Sequence, residues 1–188
     1  MSDHSPTVLV VDDEQQVADA YALRLQMEYD DIRKAYGGKE ALETVDEDVD
    51  VVLLDRRMPD YSGGEVLEKM RERGLDCSVI MVTAVDPDFD IVEMPFDDYL
   101  CKPVEKEALF DAIEQQLAEQ EYDDDLQDYF SVVSKIGVLE SQKPSYELED
   151  HEEYQRLKER AEELRGDLDE TVQGFDDMES AFMTIDRN

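Results

Sequence analysis

Residues 7–14 read Thr-Val-Leu-Val-Val-Asp-Asp-Glu. A short, nearly unbroken apolar run predicts a strand buried on both faces, and Asp12 and Asp13 stand at its carboxyl end. The same pattern recurs downstream. Residues 50–54 form an apolar run ending in Asp55, 78–82 lead into Thr83, and 96–100 lead into Cys101-Lys102-Pro103. A weaker strand spans 31–36, before Gly37-Gly38. Between the strands, apolar residues take helical spacing: Val17, Ala20, Tyr21 and Leu25 within 14–28, then Ala41, Leu42 and Val45. Ser62 and Glu65 have capping-box spacing for a helix running to about Gly74, and a last helix covers 104–120. Five strands alternating with helices predict an α/β fold, a doubly wound five-stranded parallel sheet covered on both faces.

The chain has 188 residues, with 52 acidic against 18 basic side chains and a formal net charge of −34. The excess is spread along the chain rather than gathered in a tail. Such charge strains a compact state in dilute salt, but the Debye length falls to roughly 3 Å at 1 M and the repulsion nearly vanishes. The composition resembles the surface of a protein from a salt-in halophile. Direct DNA binding is disfavoured, because phosphate affinity needs clustered Lys and Arg. No stretch approaches the ~20 apolar residues of a membrane span, and no basic-then-apolar leader opens the chain, so a cytoplasmic location is expected. Cys77 and Cys101 fit no metal or redox spacing and fall at opposite ends of neighbouring strands, which predicts two unpaired core residues.

Asp12, Asp13, Asp55, Thr83 and Lys102 all fall at strand carboxyl ends, where sheets of this kind bind ligands. Three carboxylates in one crevice repel each other, and a hard divalent cation such as Mg²⁺ relieves that repulsion. Lys102 would add a point charge for a phosphoryl group, Thr83 a short hydroxyl donor, and Asp55 a carboxylate nucleophile. Taken singly, each residue has a plainer reading: the acidic pair as a helix cap, Thr83 and Tyr99 as strand residues, Lys102 as a surface charge. Their common address favours a site.

Val-Asp-Asp-Glu at 11–14, Leu-Leu-Asp-Arg-Arg-Met-Pro-Asp at 53–60, Val-Thr-Ala at 82–84 and Tyr-Leu-Cys-Lys-Pro at 99–103 resemble the motifs of bacterial and archaeal response-regulator receiver domains, in register over residues 1–120. The resemblance implies a flavodoxin-like fold in which Asp55 accepts a phosphoryl group from the phosphohistidine of a sensor histidine kinase. It implies Mg²⁺ held by Asp13, Asp55 and the backbone carbonyl of Arg57, with Asp12 acting mainly through water. Lys102 would bind the phosphoryl group, Thr83 would move toward it, Tyr99 would be the switch aromatic, and Lys102–Pro103 would be cis. The chain departs from the family between Thr83 and Tyr99. There Asp86-Pro87-Asp88 and Pro95 leave little room for a helix, which weakens the case for dimerisation through the face that this helix would build. Arg56 and Arg57 beside Asp55 are bulky.

Past residue 120, Tyr122, Leu126, Tyr129, Val133 and Ile136 share one helix face, and Lys143-Pro144-Ser145 breaks the run. Asp150 and Glu153 have the spacing to cap a second helix. Tyr154, Leu157, Ala161, Leu164, Leu168, Thr171, Phe175, Met178 and Phe182 then form a heptad seam, and Gly166 and Gly174, off the seam, weaken the helix without interrupting it. An antiparallel hairpin is expected, its seam closing on itself in preference to pairing two copies, although a homodimer stays open. Tyr122-Asp-Asp-Asp-Leu126, Leu139-Glu-Ser-Gln-Lys143 and Tyr154-Gln-Arg-Leu157 resemble the HalX-type domain of haloarchaeal response regulators. The expected division is a receiver over 1–120 and an acidic helical output domain over 121–188. His151-Glu152 has the residue pair of a kinase phosphoacceptor box. With no ATP-binding glycine motif to serve it, His151 reads as a solvated residue near a helix end, and His4 lies near the terminus. Three functions compete: a phosphoacceptor switch whose downstream partner the sequence does not name, a phosphatase-like hydrolase, and a pseudo-receiver scaffold. The hydrolase wants a second carboxylate two residues after Asp55, where Arg57 stands. The scaffold would usually lack the acidic pair or the Lys, and both are present, so the switch is favoured.

Overall fold

The computed structural model describes residues 5–122 and 124–183. His4 and Asp123 lie outside them. The first part runs β1 (Thr7–Val11), α1 (Gln15–Leu25), β2 (Asp31–Ala35), α2 (Gly38–Thr44), β3 (Val51–Leu54), α3 (Gly63–Glu72), β4 (Ser78–Thr83), β5 (Asp98–Cys101) and α4 (Lys106–Glu119). All strand pairs are parallel and the order is β2-β1-β3-β4-β5. Strand order reverses at β1, so a crevice opens beyond the carboxyl ends of β1 and β3. The ladder continues into the residues beyond each strand. Asp55 N donates to Val11 O at 3.0 Å, Asp12 N to Ala35 O at 3.1 Å and Lys102 N to Thr83 O at 2.8 Å.

Side chains alternate between the two faces, as the pleat requires. Val8, Val10, Val51, Leu53, Ile80, Val82 and Leu100 pack under α1 and α4. Leu9, Val11, Val52, Leu54, Val79, Met81 and Tyr99 face the other way, toward α2 and α3. Between β4 and β5 there is only a 3₁₀ turn, Phe89–Ile91, in place of a helix. The missing cover comes from the C-terminal segment. That segment comprises α5 (Asp124–Gln142), α6 (Ser145–Glu149), α7 (Glu152–Thr171) and α8 (Phe175–Met183). Val138, Leu139, Leu148, Tyr154 and Leu157 belong to the same core cluster as Ile91, Phe96 and Tyr99. Polar groups fix the joint as well: Ser134 Oγ donates to Asp98 Oδ1 at 2.6 Å, Ser131 Oγ to Phe96 O at 3.0 Å and Lys135 Nζ to Val92 O at 3.2 Å.

The other side of α5 pairs with α7 and α8. Leu126, Tyr129, Phe130 and Val133 cluster with Leu164, Leu168, Phe175 and Phe182. Early α5 meets late α7 and late α5 meets early α7, so the two helices are antiparallel, as expected. Two details differ from the sequence reading, at Gly174 and at Asp150. Gly174 interrupts the helix: it sits at φ +84°, in the left-handed region that favours glycine, and turns the chain between α7 and α8. Gly166 lies inside α7 and interrupts nothing. Asp150 closes α6 in a right-handed helical conformation, and His151 occupies the N-cap of α7.

Cys77 is buried and Cys101 half-buried, both unpaired, and burial pushes the Cys77 thiol up to about 11. Among the described residues no helix is long and apolar enough to cross a membrane. Lys102–Pro103 is cis.

The loop after Asp55 is held tightly. Ser62 and Glu65 form the capping box of α3, and the Asp60 carboxylate accepts from Gly38 N at 3.0 Å and Lys39 N at 2.7 Å. A Cβ on Gly63 would lie 2.3 Å from the Asp55 carbonyl oxygen. Gly63→Ala is therefore expected to destabilise the protein by roughly 1–3 kcal/mol, read from the denaturation midpoint in concentrated KCl. Burial of a large apolar side chain stabilises by roughly 1.5–3 kcal/mol, so baring Ile91, Phe96 and Tyr99 would cost on the order of 5 kcal/mol, against a total of about 5–15. A chain ending at residue 120 is expected to bind hydrophobic dyes and to lose cooperative unfolding. Unfolding indistinguishable from that of the full chain would show that α5 covers the sheet without stabilising it.

Candidate functional site

Four strands deliver polar side chains to one crevice. Asp12, Asp55 and Thr83 are 2 %, 7 % and 1 % exposed, while Asp13 faces solvent. Asp12, Asp13 and Asp55 can each offer an oxygen within 4.8 Å of the others, and among the described residues they are the one such group. Lys102 Nζ reaches the Asp12 carboxylate and lies 3.7 Å from Asp55 Oδ1. The Thr83 hydroxyl stands within reach of Asp55 and accepts from Val85 N at 3.2 Å. Asp12 Oδ1 accepts from Glu14 N at 2.9 Å, turning the chain toward α1.

Burial pushes the Asp55 carboxyl above its ordinary range. Lys102 and Thr83 pull it down without cancelling the effect, and Asp12 adds to it. For Lys102, burial acts to lower the ammonium, but the bond to Asp12 and the charges of both carboxylates outweigh it, so Lys102 titrates above its usual value. One ammonium faces three carboxylates. That imbalance, with oxygens this close and one carboxylate open to water, fits a hard divalent cation that retains part of its hydration.

The structure brings Asp12, Asp13, Asp55, Thr83 and Lys102 together. Arg57 follows in the loop beyond Asp55, and its side chain is exposed. Tyr99 is outside the crevice. It is 1 % exposed, sits edge-on to Phe96 at 5.6 Å, and its hydroxyl donates to Val85 O at 2.6 Å. The Val85 backbone thus connects Tyr99 with Thr83.

Sequence reasoning did not find the part played by Arg56. Its guanidinium pairs with the Asp90 carboxylate and lies close enough to the Tyr99 hydroxyl to interact with it electrostatically, tying the residue beside Asp55 to the β4–β5 connection. The only available signal was a bulky cation next to Asp55 with an acidic stretch at 86–93. His151, expected to be solvated, stacks on Phe89 with ring centroids 3.4 Å apart and planes 6° off parallel.

Comparisons with known proteins agree with this geometry. Residues 8–114 match the response regulator receiver domain and residues 119–182 the HalX domain. A Haloferax volcanii protein named as a transcriptional regulator is 45 % identical over 165 residues. The match covers 88 % of this chain but only 28 % of that protein. Among solved structures, a CheY-like receiver protein of Methanospirillum hungatei aligns with a TM-score of 0.58 at 27 % identity, over 63 % of this chain and 98 % of its own. The response regulator TrrA of Thermotoga maritima, solved with Mg²⁺ and a beryllium fluoride, aligns with a TM-score of 0.53 at 30 % identity, over 59 % and 98 % of the two chains. The sheet, the crevice and these matches together make the chain a member of the response-regulator family, a receiver domain followed by a HalX domain.

Proposed function

We propose that Asp55 is the phosphoacceptor of an Mg²⁺-dependent switch, charged by a sensor histidine kinase and read out by the helical segment. The observation that carries this reading is the crevice itself: three convergent carboxylates, with Lys102 and Thr83 each in reach of Asp55. An Asp55 oxygen attacks phosphorus, the phosphorus–nitrogen bond to the donor histidine breaks, and the imidazole leaves with the electron pair. Asp12, Asp13, Asp55 and the backbone carbonyl of Arg57 would hold Mg²⁺, which when bound neutralises phosphoryl charge. Lys102 holds the transferred group by charge, and Thr83 donates its hydroxyl to a phosphoryl oxygen. Tyr99 follows the segment carrying Val85. The raised carboxyl of Asp55 is consistent with a nucleophile that needs a cation beside it.

Receiver domains act as phosphoacceptor switches rather than as enzymes turning over a separate substrate. The boundary we favour is a receiver over 1–120 and a HalX output domain over 121–188, with α5 completing the receiver's sheet cover. The name of the Haloferax relative supports a role in transcriptional control, and the net charge of −34 favours action through protein partners rather than direct DNA contact. The same charge and that relative support a salt-rich cytoplasm as the working environment.

Incubation with acetyl phosphate and Mg²⁺ in concentrated KCl is expected to add one phosphoryl mass to the wild type. Asp55→Asn should show none, and chelation of Mg²⁺ should abolish labelling. A folded wild type that stays unlabelled would replace this reading with a scaffold that works through its helices.

A further inference from the structure

The β4–β5 connection touches the crevice on one side and the corner between α5 and α7 on the other. On the crevice side, Val85 N donates to Thr83 Oγ1, Val85 O accepts from Tyr99, and Asp90 pairs with Arg56. On the helical side, Asp88 Oδ1 lies 2.9 Å from Lys143 Nζ, and that ammonium stands 5.4 Å from the centroid of the Phe89 ring. Phe89 stacks on His151, and Lys135 Nζ donates to Val92 O. Ile91, 0 % exposed, pins the middle of the turn into the core. The internal bonds of the turn are all short-range: Phe89 N donates to Asp88 Oδ1 at 2.8 Å, Ile91 N to Asp88 O at 3.1 Å, Val92 N to Phe89 O at 3.2 Å and Met94 N to Ile91 O at 3.1 Å. So short a 3₁₀ segment depends on what its side chains grip.

We propose that residues 86–94 form a latch between the receiver and the HalX corner, and that a phosphoryl group on Asp55 opens it by drawing Arg56 away from Asp90. The inference rests on Asp55 being the phosphoacceptor. A phosphoryl group adds about two negative charges beside Arg56 and outcompetes a single, largely exposed carboxylate for it. Asp90 then loses its counter-charge in a stretch that also carries Asp86, Asp88 and Glu93. The turn shifts, and with it go the grip of Asp88 on Lys143 and of Phe89 on His151. The corner of the output hairpin is released, while the joint between α5 and the sheet stays closed because Val138, Leu139 and Ser134 are buried in it. Coupling is reciprocal: loosening the latch from the helical side favours the charged form of the receiver.

The test uses the full chain in concentrated KCl, with Mg²⁺ and beryllofluoride as the phosphoryl mimic, and amide exchange as readout. Acetyl phosphate labelling of the same samples is followed by intact mass. Peptides covering 86–94 and 143–151 are expected to exchange several-fold faster with the mimic bound, with 164–168 unchanged. Lys143→Ala should exchange fast at these peptides without the mimic and gain little from it. Asp88→Asn, an exposed and structurally mild change, should do the same. Both should shift the mimic's affinity upward by the roughly 5-fold or more typical of coupled sites. Normal labelling with unchanged exchange at 143–151 would overturn the latch and leave the Asp55 reading intact. Wild-type affinity in both variants would also overturn it. No labelling of the wild type would remove the Asp55 reading and the latch together.

Discussion

A parallel sheet has no face that can be left in water. Its central strands are apolar on both sides, and every connection between them must cross a face and cover part of it. Here one crossover has shrunk to a single 3₁₀ turn, and the surface around Phe96 and Tyr99 would lie bare without a substitute. Much of what is unusual in this molecule follows from that debt to the solvent. Helix α5 crosses from the second domain to lie where a crossover helix would, and it carries Ser131, Ser134 and Lys135 to meet Phe96, Asp98 and Val92 at and before the start of β5. Burial pulls the Lys135 ammonium below its usual range, with Asp97 acting against it, which marks how far inside the joint this charge lies. A buried cation is tolerated only where partners stand ready.

The same sheet sets the electrostatics of the crevice. Its strands end together, so their terminal carboxylates are forced together, and a single lysine leaves most of that charge unmatched. The imbalance keeps the site receptive to cations. It also makes Asp55 responsive, since any group added there changes the balance felt by Lys102, Thr83 and Arg56 at once. The backbone link through Val85 brings Tyr99 into this neighbourhood without placing it in the crevice.

The strands and the crevice were legible in the sequence because their signals are local: apolar runs, each closed by a polar residue that the topology carries to one place. Ser62 and Glu65 were legible for the same reason, as spacing alone defines a capping box. The break at Gly174 was not, because Leu168, Phe175 and Phe182 keep their spacing across it. Both helices bury that seam against α5, so periodicity survives a turn that only the backbone angle reveals. Nor did Asp150 and Glu153 act as a cap, since Asp150 is held at the end of α6. The role of α5 was half visible. Its predicted face, through Tyr129 and Val133, is the one turned to α7, whereas Val138 and Leu139 belong to a second apolar face that a single-stripe reading passes over. Long-range pairings such as Phe89 with His151 leave no periodic trace.

Receivers are often pictured as interchangeable input modules, joined to varied outputs by linkers that tolerate recombination. The position of α5 makes this chain an exception. A gene fusion cut between α4 and α5 would give one product with an open sheet and another with a helix whose inner face has lost its counterpart. Inheritance should keep the two parts together, with changes on β5 matched by changes on α5. A receiver grafted onto this HalX domain would fit only if it, too, lacked the helix that α5 replaces.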